Sequence, residues 1–209
     1  TGANATLPHG LGVAPKMIIV KNLDGLNRSW RVYNSVLGAT KYLYLAETNA
    51  EATDSTVWND TEPTSTLFSV GTNNETNESG DDLIAYCFAD IQGFSKFGKY
   101  TGYDNDDGPF IYTGFRPSIV LIKRTGSAGA WWLANTAVNP GNLATITGVL
   151  RPNSNAVETT DSSESIDILA NGFKLRQNGG DINYSGEYIY VAFAEAPFVN
   201  SNGVPCNAR

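Results

Sequence analysis

The chain has 209 residues, of which 41% are hydrophobic and only 17% charged, and its formal net charge is −7 at pH 7. Nine acids and no Lys or Arg lie between residues 47 and 82, and an acidic surface of this kind repels phosphate backbones, which argues against a nucleic-acid partner. No apolar run approaches the roughly twenty residues of a membrane-spanning helix, so membrane insertion is not expected.

Short apolar and β-branched segments, separated by turn-forming clusters, predict strands along the whole chain. In chain order they are 16–21, 29–35, 41–46, 65–70, 82–90, 110–113, 118–124, 130–135, 145–150, 166–169, 172–176 and 187–194. Helical periodicity is weak, and 46–53 is its best candidate. We therefore expect an all-β fold.

Several of these segments occur twice in the sequence. The similar pairs are 12–21 with 114–123, 29–34 with 130–135, and 77–90 with 183–195. A period of about one hundred residues is that of a domain-sized unit rather than of a solenoid or a propeller repeat. We predict two tandem homologous β-sandwich, jelly-roll-like repeats packed as one rigid body, over 1–100 and 101–198, with a C-terminal tail over 199–209.

Alternation along the second strand of each repeat predicts which side chains face inward. Trp30 and Trp131 occupy matching positions and are expected in the core. Trp132 then takes the outward position that Arg31 takes in the first repeat. An outward tryptophan would be available to a ligand.

Two pairs of strands are apolar on both faces, namely 17–20 with 119–122 and 83–89 with 188–194. Such strands are buried on both sides. Either one repeat packs on the other there or another chain does. We favour a homo-oligomer, specifically a trimer, and packing within one chain is the alternative.

No residue pattern in the chain indicates catalysis. His9 is the only histidine, which excludes a multi-histidine metal site, and no nucleophile-elbow or phosphate-loop motif is present. Asp104, Asp106 and Asp107 resemble part of a calcium-binding loop, because calcium takes several carboxylate oxygens. The spacing is one residue short and lacks the closing Glu, so a solvated turn is the alternative, and no other cofactor is expected.

Aromatic side chains on β surfaces can stack on sugar rings, with polar neighbours supplying hydrogen bonds. Trp58, Tyr103 and Tyr184 lie in polar, turn-rich contexts, and Trp132 lies in the outward register. These four residues are therefore candidates for ligand binding. The alternative is that they fill interfaces.

Three motifs carry a resemblance to a known group of proteins. They are Ala-Tyr-Cys-Phe-Ala-Asp at 85–90, Gly-Phe-Ser-Lys-Phe-Gly-Lys-Tyr-Thr-Gly at 93–102, and Gly-Pro-Phe-Ile-Tyr-Thr-Gly-Phe-Arg-Pro at 108–117. With them, the chain from residue 2 to 198 resembles a duplicated module of uncharacterised function near the C-terminal ends of bacteriophage tail-fibre and other virion structural proteins. The resemblance implies an exposed, often trimeric virion protein and supplies no catalytic residues.

These observations favour a non-enzymatic module on the virion surface, in an extracellular setting. It would bind a host cell-surface glycan or assemble with other virion proteins. One alternative is a carbohydrate-binding or depolymerising domain of a secreted enzyme. The other is a structural subunit of a head fibre or an extracellular filament.

Overall fold

The protein is described by a computed structural model that covers residues 2–25, 27–138, 149–158 and 165–196. It forms two compact units, Thr1–Ala89 and Asp90–Arg209. Every strand pair among the described residues is antiparallel, and each of their three helices has four residues. The predicted all-β fold is therefore confirmed. Residues 145–148 of one predicted strand and the predicted tail over 199–209 lie outside the described residues.

The first unit consists of short strands joined by turns and two single-turn helices. Its elements are β1 (Ala5–Pro8), β2 (Met17–Asn22), β3 (Arg31–Asn34), β4 (Lys41–Tyr44), β5 (Ala52–Thr53), α1 (Ser55–Trp58), β6 (Leu67–Val70), α2 (Asn74–Asn77) and β7 (Leu83–Phe88). Both helices begin at a polar cap, since the side chains of Asp54 and Asn73 accept the backbone N–H two residues later.

Two sheets enclose the core of the first unit. The larger sheet has the strand order β5-β4-β3-β2-β7, and the smaller pairs β1 with β6. Side chains of both sheets and of α1 form one buried cluster, which is typical of a sandwich. Its largest members are Ile18, Val20, Tyr33, Tyr42, Val57, Trp58, Phe68 and Val70.

The second unit has the same kind of elements. They are β8 (Ser95–Gly102), β9 (Phe110–Tyr112), β10 (Pro117–Arg124), β11 (Trp131–Asn135), β12 (Ile166–Leu169), β13 (Gly172–Leu175), α3 (Gly180–Asn183) and β14 (Gly186–Ala194). One sheet has the order β11-β10-β14-β8 and the other the order β12-β13-β9. The buried cluster between them includes Val120, Ile122, Trp132, Tyr188, Tyr190, Ile111, Ile168, Phe173 and Leu175.

The two units share several strand pairings. In each, one central strand lies between a hairpin partner and a late strand: β2 between β3 and β7, and β10 between β11 and β14. The pairing of β1 with β6 has its counterpart in that of β9 with β13. The late strands differ, because β14 has a second neighbour, β8, whereas β7 is the last strand of its sheet. That the units are homologous and form one rigid body stays a prediction.

The boundary between the units differs from the predicted one at 100/101. No strand was predicted between residues 91 and 109, but most of the segment 93–102 is β8, which pairs along its full length with β14. Alternating burial along β8 is the period-2 signal of a strand, and its glycines obscure that signal in the sequence. The helix considered for 46–53 is absent, since β5 occupies Ala52–Thr53.

The strands that were predicted to be apolar and buried on both faces differ in burial. Residues 188–192 of β14 are all buried, whereas Ile84, Ala85 and Tyr86 of β7 are exposed. Residues 188–192 are buried within a single chain, so their burial gives no support to an oligomer. Among the described residues no helix is long and apolar enough to cross a membrane.

Candidate functional site

The two tryptophans proposed as ligand-binding residues are not at the surface. Trp132 has 0% and Trp58 1% of its surface exposed. Trp132 lies opposite Ile122 on the core face of β11, and Trp58 packs edge-on against Tyr33 at a ring distance of 6.0 Å. Neither ring can present a face to a sugar, so their prediction as surface binding residues is wrong.

The predicted inward and outward positions of the neighbouring residues need the same correction. Trp131 is buried, as expected, but so is Trp132, because both faces of β11 are covered. Trp30 is only half-buried and stacks on the exposed Tyr86 at 6.4 Å. The prediction was wrong because alternation separates the two faces of a strand but does not tell whether both faces are covered.

Arg31, which was expected to point outward, is also buried. Its guanidinium lies 4.2 Å from the ring of Tyr42 and 4.1 Å from that of Tyr44, and it forms an ion pair with Glu75. Burial alone would lower the pKa of Arg31, but the Glu75 carboxylate together with the side chains of Tyr42 and Tyr44 outweighs it, and the pKa of Arg31 is raised. This arrangement fixes β3 and β4 to α2 and leaves the cation inaccessible to a ligand.

Tyr103 and Tyr184 are exposed, as predicted, with 59% and 48% of their surfaces accessible. Asn183 places their backbones close together: its Oδ1 accepts the N–H of Tyr103 at 3.2 Å, and it directly precedes Tyr184. The Arg124 guanidinium lies 5.7 Å from the Tyr184 ring. Both tyrosines are therefore exposed near the C-terminal end of β8.

The acidic loop after Tyr103 does not gather its carboxylates. Asp107 pairs with Lys174 at 2.8 Å, and that hydrogen bond and charge lower the pKa of Asp107. Asp106 Oδ1 accepts the N–H of Asn178 at 2.9 Å, and Asp104 has a left-handed φ of 57°. Within the described ranges no three acidic, histidine or cysteine side chains are placed to hold a metal ion. The geometry gives the calcium interpretation no support.

A cleft of about 310 Å³ lies in the second unit, beside the N-terminal end of β8. It is formed by the turn that leads into β8 and by the turn that follows β9. The lining residues are Asp90, Ile91, Gln92, Gly93, Ser95, Lys96, Tyr112, Thr113, Gly114 and Phe115. Both turns contain a glycine with positive φ, 72° at Gly93 and 84° at Gly114, which lets the backbone bend sharply at the rim.

Charged and aromatic groups meet in this cleft. Asp90 Oδ2 accepts from Lys96 Nζ at 2.8 Å, whereas Asp90 Oδ1 is buried and has no hydrogen-bond partner among the described residues. Tyr112 is the most exposed aromatic residue of the lining, with 64% of its surface accessible. Burial, together with the charge of Asp90, raises the pKa of the neighbouring Tyr190 to about 12. The cleft thus combines an acceptor, a donor and an open ring.

Sequence reasoning did not identify this site. Phe110 and Tyr112 are exposed on either side of the buried Ile111, and this alternation in the motif at 108–117 is the signal that could have found Tyr112. The turn at 91–94 lies between two predicted strands, 82–90 and 110–113, and nothing in the sequence indicated its position beside β9. Only the pairing of β9 with β13 and of β8 with β14 brings the two motifs together.

Comparison with known proteins identifies a family but no activity. Neither a curated protein nor a solved structure matches the chain. One family model, described as "Domain of unknown function (DUF7483)", matches residues 1–197. That match covers both units over all the residues that the structure describes. The chain therefore belongs to the family Domain of unknown function (DUF7483).

Proposed function

We propose that this chain is a non-enzymatic module of a bacteriophage virion surface that binds a glycan of the host cell surface in the cleft of the second unit. The observation that carries the proposal is the combination of the exposed Tyr112 ring with the Asp90–Lys96 pair in one concave site. The virion setting rests on the resemblance of the motifs at 85–117 to tail-fibre modules.

The chemistry of the cleft suits a sugar. A pyranose presents an apolar ring face, which packs on an aromatic ring, and a rim of hydroxyls that donate and accept hydrogen bonds. Tyr112 offers the ring, Lys96 donates, and the partly exposed carboxylate of Asp90 accepts.

The size of the cleft indicates a short ligand. Small-molecule sites span roughly 300–1,000 Å³, and this cleft lies at the lower end of that range. It therefore accommodates one or two sugar units, such as the terminal part of a glycan. Contacts of this extent are weak singly and become effective when several copies act together.

The lining also favours binding over hydrolysis. Glycosidases generally use two carboxyl groups that flank the scissile bond. Among the described residues that line the cleft, Asp90 is the one acid, and it is engaged with Lys96. A depolymerising enzyme would need a second carboxylate in this place.

The oligomer is part of the same proposal. A trimer, as the resemblance to virion proteins implies, would place three clefts on one particle appendage and multiply weak contacts through avidity. The exposed apolar side chains of Ile84 and Tyr86 on β7 support an association of the chain with another polypeptide. Sedimentation equilibrium of the full chain tests the trimer directly, and a monomer mass at micromolar concentration contradicts it.

The binding test uses the full chain on an array of bacterial surface glycans, followed by titration with the best ligand. Tyr112→Ala is expected to weaken binding about tenfold, the value of one aromatic contact of this kind. Tyr103→Ala is the matched control, because it removes a similarly exposed ring at the other end of β8. Its affinity is expected to stay within about twofold of the parent chain.

Three outcomes overturn the proposal. Binding to no glycan at all removes the function. Loss of binding in Tyr103→Ala or Tyr184→Ala, with Tyr112→Ala unaffected, moves the site to the surface around these two tyrosines. Release of reducing sugars from the bound glycan replaces the binding module by a depolymerising enzyme.

A further inference from the structure

The outer edge of β7 differs from that of its counterpart β14. In the second unit, β8 covers this edge, and the residues of β14 that face it are buried: Tyr188, Tyr190 and Ala192. In the first unit β7 is the last strand of its sheet, with no further neighbour among the described residues. Ala85, in the middle of β7, is exposed.

Backbone bonds define which residues of the two strands correspond. Leu23 N–H donates to Asp82 O at 2.8 Å, as Thr125 N–H donates to Glu187 O at 3.0 Å. From this register Ala85 corresponds to Tyr190, because each lies three residues further along its strand. The neighbouring register agrees, since Met17 lies opposite Phe88 as Ile119 lies opposite Phe193.

The same bonds reveal which backbone groups of β7 point away from its sheet. Phe88 O accepts from Lys16 N–H at 2.7 Å, and Asp82 O accepts from Leu23, so even-numbered residues face β2. In an antiparallel ladder alternate residues direct both their N–H and C=O to one neighbour. Leu83, Ala85 and Cys87 therefore direct theirs outward, where an added strand could pair with them.

A buried asparagine in each unit indicates where such a strand would run. Asn183 O accepts the N–H of Asp104 at 2.8 Å, and Asp104 closely follows the end of β8. Asn77 O accepts the N–H of Gly2 at 2.9 Å in the same way. An added strand in the β8 position would run antiparallel to β7 and finish next to Gly2.

The side chains specify what this strand must carry. Gly98 of β8 lies opposite Tyr190, and a Cβ at Gly98 would lie 2.7 Å from that ring, so only glycine fits there. Ala85 takes the place of Tyr190 in the first unit, has a much smaller side chain than tyrosine and is exposed. The strand that fits the β7 edge therefore needs a large apolar side chain where β8 has glycine.

We propose that β7 is a docking edge that takes up an extended segment of a partner polypeptide by β-strand addition, in the antiparallel orientation of β8 and with a large apolar residue facing Ala85. The segment Leu83–Phe88 has no charged residue, although exposed edges are usually protected from pairing by charges, prolines or bulges. Strand addition supplies affinity through the main chain and specificity through alternate side chains.

The test is amide hydrogen exchange of the full chain with and without a synthetic peptide of residues 94–102 that carries Gly98→Leu. Exchange at Leu83, Ala85 and Cys87 is expected to slow by about tenfold or more, while Ile84 and Tyr86, already bonded to β2, stay unchanged. The unsubstituted peptide is expected to protect less, because its glycine leaves the space over Ala85 empty.

A substitution on the chain provides the matched control. Ala85→Pro removes the backbone N–H that points away from the sheet and breaks no hydrogen bond to β2. Proline is tolerated on edge strands where the N–H faces solvent. Ala85→Pro is expected to abolish the protection of the Leu83 and Cys87 amides by the peptide. Ala85→Ser keeps the N–H donor and is expected to retain that protection. Protection of all five amides alike, or none, overturns the proposal. Slow exchange of the odd-numbered amides without peptide, together with a dimer mass, assigns the edge to a second copy of the chain instead.

Discussion

Gly98 and Tyr190 form a complementary pair between β8 and β14 in the four-stranded sheet of the second unit. The Tyr190 ring covers the Gly98 backbone and packs edge-on against Phe173 at 5.6 Å. Because both rings are buried, the tyrosine cannot move aside to make room for a methyl group. The pair is a steric requirement between neighbouring strands, set by side-chain size alone.

Gly98→Ala is therefore expected to destabilise the protein by roughly 1–3 kcal/mol through overpacking. In the Tyr190→Ala background the same change should cost much less, because the obstructing ring is gone. Urea unfolding of the four proteins of this double-mutant cycle gives the coupling free energy. Equal costs in the two backgrounds would show that the glycine is required for another reason.

Burial ranks the tryptophans by their contribution to stability. Trp132→Ala is expected to cost roughly 3–5 kcal/mol, as for a fully buried aromatic side chain. Trp30→Ala should cost clearly less, because Trp30 is half-buried and stacks on an exposed tyrosine. The free energy of unfolding in urea decides between them, and a larger loss for Trp30 would contradict the burial seen here.

At this scale the sequence pattern is informative in part. Tyr103 and Tyr184 were correctly predicted to be exposed, because Gly, Asn and Asp around them indicate turns. Trp132 was not, because alternation separates faces without showing which of them is covered. An aromatic side chain on a strand can therefore be proposed as a ligand-binding residue only when the layers on both faces of the strand are known.

Asn183 connects three loops at one end of the second unit. Its Nδ2 donates to Asn105 O at 2.8 Å and to Gln177 O at 2.7 Å, and its Oδ1 accepts from Tyr103. Asn77 does the same in the first unit, with bonds to Ala3 O and Gly71 O of 2.5 and 2.7 Å. Each asparagine ends a four-residue helix and fixes the chain that enters the smaller sheet.

Asn183→Ala is expected to destabilise the chain by about 2–4 kcal/mol, since it leaves buried backbone groups without partners. Asn178→Ala is the control, because Asn178 is exposed in the same region. Thermal unfolding measures both changes. The variant should also speed amide exchange at Tyr103 and Asp104, and unchanged exchange there would mean that the asparagine does not hold this loop.

Most strands follow from local patterns, whereas the neighbours of each strand do not. β2, β10 and β14 coincide closely with predicted segments because apolar, β-branched runs between turns are strong signals. β8 was missed, since its glycines and lysines resemble a loop until β14 is seen beside it. The boundary at Ala89 and the cleft beside it depend on that same long-range pairing.

For the molecule as a whole, the sequence allows a fold class and a family to be assigned more readily than a function. The cleft is lined by residues 90–96, which lead into β8 of one sheet, and by residues 112–115, at and after the end of β9 of the other sheet. No local signal indicates that these two segments meet. Functional residues that are assembled from turns of different strands are therefore the part of the molecule that sequence patterns predict least well.

The stability of the whole chain in alkaline solution should reflect one buried amine. Lys123 is fully buried, and its Nζ donates to Arg124 O at 3.0 Å and to Gly129 O at 2.9 Å. Burial lowers the pKa of Lys123 from 10.5 to about 8, with Asp181 opposing and Arg124 reinforcing the shift. The folded state thus binds fewer protons than the unfolded state between these two values.

Where the unfolded state binds more protons, stability increases with pH. The contribution of Lys123 should therefore rise from about pH 8 to about pH 10.5 and be lost as the pH falls through 8. Buried tyrosines act in the opposite direction: burial raises the pKa of Tyr188 and Tyr190 to about 12, so their contribution is lost as the pH rises above 10. Urea unfolding of the parent chain and of Lys123→Met at intervals from pH 7 to 11 isolates the lysine, because the tyrosines are common to both. The parent chain should gain stability relative to the variant between pH 8 and 10.5, and a constant difference across that window would contradict a depressed pKa.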